Sequence, residues 1–178
     1  MIKVLISGGG TGGHVFPAIA IADSIKEINP LAEILFVGAS GRLEMVEVPK
    51  AGYRIEGLNI SGFQRKFSLK NIMVVWKLIG SIFKAFKIVT RFAPDVVVGV
   101  GGYASGPVMK VAAWKGIPYL IQEQNSYPGI TNKLMASKAS AICVAFPDTK
   151  KYFNNPKIEI TGNPVRKTMR TPVIKSEA

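Results

Sequence analysis

Ile2-Lys3-Val4-Leu5-Ile6-Ser7-Gly8-Gly9-Gly10-Thr11-Gly12-Gly13-His14-Val15-Phe16-Pro17 opens the chain with a short apolar run that breaks into a glycine cluster. The run reads as a buried strand, and the glycines allow a tight turn that brings backbone N–H groups to an anion at the start of the next helix. Pro17 falls where a first helical turn tolerates a missing N–H, and the helix is expected to reach about Ile28, before Asn29-Pro30. Strand, glycine turn and helix in that order open a parallel α/β sheet.

The alternation continues outward from this unit. Residues 33–37 and 53–58 read as strands, joined by a connection over 49–52. A long helix is expected from about Ser68, a good N-cap, to Phe92. Residues 94–99 form a buried strand, and a helix follows from about Pro107 to Gly116. Residues 117–121, 140–144 and 157–161 supply three more strands, with a helix over 131–137. Continuous Val/Ile/Leu runs between helices imply a sheet covered on both faces. The fold class is α/β, a Rossmann-like doubly wound parallel sheet. Residues 1–166 read as one domain, and 167–178 as a linker or polar tail.

The chain has 178 residues, 48% hydrophobic and 19% charged, enough to bury a sizeable core. Its formal charge of +12 attracts phosphates, nucleic acid or an anionic membrane, and charge alone does not choose among them. No helix-turn-helix, RNA-binding or zinc signature is present, so nucleic acid is not an expected partner. Cys143, in Ala141-Ile142-Cys143-Val144-Ala145, reads as a buried strand thiol, which fits a reducing cytoplasm. No signal-peptide pattern precedes the first strand. The apolar stretch over 72–92 is interrupted by Lys77, Lys84, Lys87 and Arg91, short of the roughly 18 uninterrupted apolar residues that a spanning helix needs.

In an open parallel sheet the ligand site forms beyond the carboxyl ends of the strands, so the loops after Ile6, Val98, Ile121 and Ile160 matter. Gly99-Val100-Gly101-Gly102-Tyr103-Ala104-Ser105-Gly106-Pro107 repeats the plan of strand, glycine turn and helix. Two such loops on one edge can hold a pyrophosphate or a pair of phosphorylated ligands. Gln122-Glu123-Gln124-Asn125 and Thr161-Gly162-Asn163-Pro164-Val165-Arg166 add polar groups there. Gly8, Gly10 and Gly13 match G-x-G-x-x-G, yet the second strand ends Phe36-Val37-Gly38-Ala39-Ser40, without the acidic residue that a nicotinamide dinucleotide's ribose requires. No Gly-Lys-Ser/Thr of a nucleotide triphosphatase is present.

Four segments in this order, residues 9–18, 101–107, 123–125 and 162–166, resemble the signatures of the MurG family of peptidoglycan glycosyltransferases along nearly the whole chain. The resemblance implies the N-terminal, acceptor-binding half of an inverting, two-domain GT-B enzyme. Such an enzyme moves N-acetylglucosamine from UDP-GlcNAc to the C4 hydroxyl of MurNAc in lipid I and gives lipid II at the cytoplasmic face of the inner membrane. Family chains are about twice as long, so most of the UDP-GlcNAc pocket is expected in a C-terminal half that this sequence lacks. The half-chain is expected to fold alone and to be inactive alone. A binding-only module is the rival reading.

The resemblance also assigns residues. Thr11, Gly12, Gly13, Asn125 and Arg166 match donor-contacting positions, the amide suited to sugar hydroxyls and the guanidinium to phosphate. His14, the sole histidine, is the expected general base, because an imidazole titrates near working pH; Glu123 is a weaker alternative. Gly101, Gly102, Tyr103 and Ser105 are expected to line an acceptor and phosphate loop. No cofactor and no metal are expected, since His14 stands alone without a Cys or carboxylate cluster of ligand spacing. Lys70, Lys77, Lys84 and Arg91 recur every seven residues, a basic stripe within about 60° of helix surface, with Lys87 alongside. Ile72, Val75, Trp76, Ile79, Ile82, Phe83 and Phe86 form a broad apolar arc beside it, so this helix is expected to dock on an anionic membrane.

Overall fold

The computed structural model describes residues 1–61 and 70–166, with the backbone alone for residues 70–73. Seven strands, β1 (Lys3–Ser7), β2 (Glu33–Ala39), β3 (Arg54–Leu58), β4 (Val96–Gly99), β5 (Tyr119–Glu123), β6 (Ala141–Val144) and β7 (Ile158–Ile160), form one sheet in the order β3-β2-β1-β4-β5-β6-β7. Every pairing is parallel; Ile6 of β1 lies between Phe36 and Val98. The order reverses between β1 and β4, and the two glycine loops follow those two strands. This is the switch point at which doubly wound sheets open a crevice.

Among the described residues five α-helices cover the sheet: α1 (Gly12–Ile28), α2 (Glu44–Lys50), α3 (Lys70–Phe92), α4 (Ser105–Trp114) and α5 (Ile130–Met135). On one face α1 buries Val15, Ala18, Ile19 and Ala22, a helical i, i+3, i+4, i+7 stripe, beside Val48 of α2 and against Val4, Ile6 and Phe36. On the other face Ala85, Ile88, Val89 and Phe92 of α3 and Val108, Met109, Val111 and Ala112 of α4 pack on Leu5, Leu35, Val97 and Ile121. The sheet is thus buried on both sides, as its continuous apolar strands require.

Three local expectations are corrected. First, α1 starts at Gly12, so Pro17 stands in the second turn and removes a helical bond to the Gly13 carbonyl. Second, α2, seven residues with Pro49 inside, replaces what read as a connection. Third, Cys143 on β6 is half-buried; burial, with Glu159 nearby, raises its thiol pKa against an opposing hydrogen bond from Thr161. The expected N-cap Ser68 and the tail over 167–178 lie outside the described residues. At its other end α3 closes on Ala93, whose φ of 49° is left-handed and whose N–H donates to Val89 O at 2.9 Å, directly before Pro94.

Candidate active site

The two glycine loops hold each other. Gly9 N–H donates to Gly101 O at 3.3 Å. A Cβ on Gly102 would stand 2.3 Å from Gly9 O, and its φ of +85° excludes most side chains in any case. Gly101, at φ +94°, lies flat against the His14 ring: a Cβ there would meet Cδ2 and Nε2 at 2.9 Å. The loop after β4 therefore forms a glycine floor under the imidazole.

Thr11 is the N-cap of α1 by its extended backbone, yet its side chain does not cap the helix. Its Oγ1 lies 3.1 Å from His14 Nδ1 instead. The His14 pKa is lowered from the ordinary 6.5, chiefly because burial penalises the imidazolium; Glu123, the Gly9 carbonyl and Glu44 partly offset this. A neutral ring at the cleft can accept a proton.

Two buried carboxylates shape the surroundings. Glu123, 1% exposed, accepts at Oε1 from the Asn125 N–H and Nδ2, both at 3.0 Å, and at Oε2 from Gly129 N–H at 3.0 Å and Asn132 Nδ2 at 2.8 Å. Four donors engage both oxygens, so the carboxylate clamps Asn125, Gly129 and Asn132 together. Glu44 of α2, also 1% exposed, accepts from the N–H of Gly10 and of Ala39, each at 2.8 Å.

The cleft has a volume of about 340 Å³ and gathers Gly9, Gly10, Thr11, His14, Gly101, Gly102, Tyr103 and Glu123 from the expected residues. Arg42, Ile60, Ile130, Thr131 and Asn132 line it too and were not singled out from sequence. Gly12 and Gly13 form the first turn of α1. Asn125 is exposed and tied to Glu123. Two residues depart from expectation. Ser105 is fully buried, its Oγ donating to Gly102 O at 2.9 Å, so it shapes the loop from within instead of lining it. Arg166 lies outside this cleft, with its guanidinium 4.3 Å from the centre of the Phe16 ring, and borders a separate hollow with Asp23, Glu47 and Lys50. An aromatic face of α1 thus holds the cation that was expected at a phosphate. Among the described residues no group of three or more His, Cys, Asp or Glu is placed to hold a metal.

On the outer side of α3, Trp76 and Phe83 are 70% and 68% exposed, flanked by exposed Val75, Ile79 and Phe86. Lys84, Lys87 and Arg91 are exposed beside them and Lys77 partly so, while Ile82 packs towards the core. The side chains of Lys70 and Ile72 lie outside the described residues. Exposed Trp114 of α4, not foreseen, extends the surface: Lys110 lies 5.4 Å from its ring and Lys115 4.8 Å from that of Phe86. No helix among the described residues is long and apolar enough to cross a membrane.

Residues 4–144 match the glycosyltransferase family 28 N-terminal domain. The chain belongs to this family. A curated relative of the family 28 domain from Phocaeicola vulgatus is 57% identical over 99% of the chain and 47% of its own length. One from Bacteroides fragilis is 58% identical over 94% of the chain and 44% of its own length. Both are named UDP-N-acetylglucosamine--N-acetylmuramyl-(pentapeptide) pyrophosphoryl-undecaprenol N-acetylglucosamine transferase. The crystal structure of Acinetobacter baumannii MurG superposes with a TM-score of 0.78 at 28% identity, covering 94% of this chain and 47% of that one. The chain spans about half the length of the relatives it matches.

Proposed function

We propose that this chain is the acceptor-binding half of an inverting N-acetylglucosaminyltransferase of peptidoglycan synthesis. The enzyme transfers GlcNAc from UDP-GlcNAc to the C4 hydroxyl of MurNAc in undecaprenyl-pyrophosphoryl-MurNAc-pentapeptide, lipid I, and forms lipid II. One observation carries the reading: a single imidazole with a lowered pKa stands where two interlocked glycine loops meet at the sheet's switch point.

In the tautomer whose Nδ1–H donates to Thr11 Oγ1, 3.1 Å away, His14 keeps a lone pair on Nε2 for the acceptor. Nε2 takes the C4 hydroxyl proton as the oxygen attacks C1 of GlcNAc from the face opposite UDP. The bond from C1 to the diphosphate oxygen breaks, its electron pair leaves with UDP, and the configuration at C1 inverts. The glycine loops, the N-terminal turn of α1 and Arg42 offer N–H groups and a cation to the acceptor's diphosphate. Thr11, Gly12, Gly13 and Asn125 remain the donor contacts on this half. Arg166 is a weaker one, because its guanidinium already stacks on Phe16. Glu123 positions Asn125 and Asn132 and is not the base.

The outer face of α3 with Trp114 docks the domain on the anionic cytoplasmic surface of the inner membrane, aromatic rings in the interface and lysines at the headgroups. Joining this chain to the C-terminal half of the Phocaeicola vulgatus relative and assaying transfer of labelled GlcNAc from UDP-GlcNAc to lipid I tests the activity. Lipid II is expected from the joined protein and none from the 178-residue chain alone. Micromolar UDP-GlcNAc affinity of the lone chain would move the donor pocket into this half.

A further inference from the structure

The first glycine loop owes its shape to a residue far from it in sequence. Glu44 reaches from α2 under the loop after β1, and its carboxylate joins Gly10 of that loop to Ala39 at the end of β2 through two 2.8 Å hydrogen bonds. The side chain runs through a slot that only glycine leaves open: a Cβ on Gly9 would stand 2.1 Å from Glu44 Oε1, and one on Gly38 2.4 Å from Glu44 Cγ. A carboxylate almost fully buried beside an anion-binding loop is electrostatically adverse, since it repels the charge the loop is there to bind. Its two charge-assisted hydrogen bonds give it a reason to be there.

We infer that Glu44 is the positioning residue of the glycine loop: by taking the Gly10 N–H inward it sets the loop so that the first turn of α1 and His14 face the cleft. This rests on the reading that the cleft takes a diphosphate, and one property separates it from plain charge. Replacing Glu44 by neutral Gln removes a negative charge from beside the anion, which on Coulombic grounds tightens anion binding. A positioning residue gives the opposite sign. Gln leaves one of the two N–H groups facing an NH₂, so the loop rearranges and binding weakens.

The experiment titrates inorganic pyrophosphate into the 178-residue chain and E44Q, following backbone amides by NMR at low salt. Wild type is expected to bind through the amides of Gly12 and Gly13, and E44Q on the order of tenfold more weakly, with the amides of Gly10 to Gly13 shifted even before ligand is added. Equal or tighter binding by E44Q, or unmoved Gly10 to Gly13 amides, would overturn the inference. A role in stability alone would lower the melting temperature and leave the amides in place. If wild type does not bind pyrophosphate, the diphosphate reading of the cleft fails, while the ligand-free amide comparison still decides the role of Glu44. Should E44Q not fold, the same amides are read in E44D, whose carboxylate falls one methylene short of both N–H groups.

Discussion

The cleft and the outer face of α3 invert the usual rule of protein interiors in opposite ways. At the cleft, Glu44 and Glu123 are buried, and six hydrogen bonds hold their carboxylates. On α3, Trp76 and Phe83 are exposed, and the chain offers them little cover. Buried charge survives only when each partner is in place, so the cleft is rigid and its residues interdependent. Exposed aromatics cost the fold little, and each is separately expendable to it. The difference predicts that damage to the cleft takes folding and chemistry together, whereas damage to α3 takes location alone.

The comparison breaks most sharply at His14. His14→Ala in the joined two-half protein is expected to lower turnover on the order of a hundredfold or more while leaving UDP-GlcNAc affinity within a few-fold. Near-normal turnover would remove it as the base. The lowered pKa also fixes a pH signature. A group whose folded value lies below its unfolded 6.5 lends stability that is present above pH 6.5 and lost as pH falls through the folded value, and the acid limb of the rate profile should lie below 6.5. The melting temperature of wild type should fall relative to that of His14→Ala as pH drops below 6.5.

Next is Glu123→Ala, which leaves the donors of Asn125, Gly129 and Asn132 without their acceptor; a loss of about 3–5 kcal/mol in denaturant unfolding is expected. Gly102→Ala should cost about 1–3 kcal/mol from its backbone conformation and also push the two loops apart. By contrast, Trp76→Ser or Phe83→Ser should each weaken co-sedimentation with anionic vesicles on the order of tenfold and leave unfolding within about 0.5 kcal/mol. Vesicle binding that ignores lipid charge and salt would argue against the docking face. The smallest effect is a gain: Ala93→Gly relieves the left-handed end of α3 and should stabilise by about 0.5–1 kcal/mol.

The sheet, its switch point and the two glycine loops were legible because their signals are local, runs of Val and Ile closed by glycine. The position of His14 at the cleft was legible from its place after such a loop. Glu44 was not, because its partners Gly10 and Ala39 become neighbours only when β1 and β2 pair, and α2 hides behind Pro49. Sequence showed no acidic group at the end of β2, where a dinucleotide fold would use one on a ribose; the structure brings Glu44 to that strand end and turns it inward. The place of Arg166 was hidden for a related reason: the Phe16 face on which its guanidinium stacks belongs to a helix about 150 residues earlier. Ser105 spends its hydroxyl on the carbonyl three residues before it, a bond common at loop ends.

The pairing of β1 with β4 also sets a timetable for folding. Lys3 N–H donates to Asp95 Oδ2 at 2.7 Å across 92 positions of sequence, and closing a loop of that size costs about 4 kcal/mol of chain entropy before any contact rewards it. Strands β1 to β3 and β4 to β7 can each assemble from nearer neighbours, so the seam between them is expected to close late, in the slow regime of topologies rich in distant contacts. The glycine loops meet only across that seam. His14 therefore gains its floor at the final stage, and a chain that has recovered nearly all its secondary structure can still lack its reactive centre.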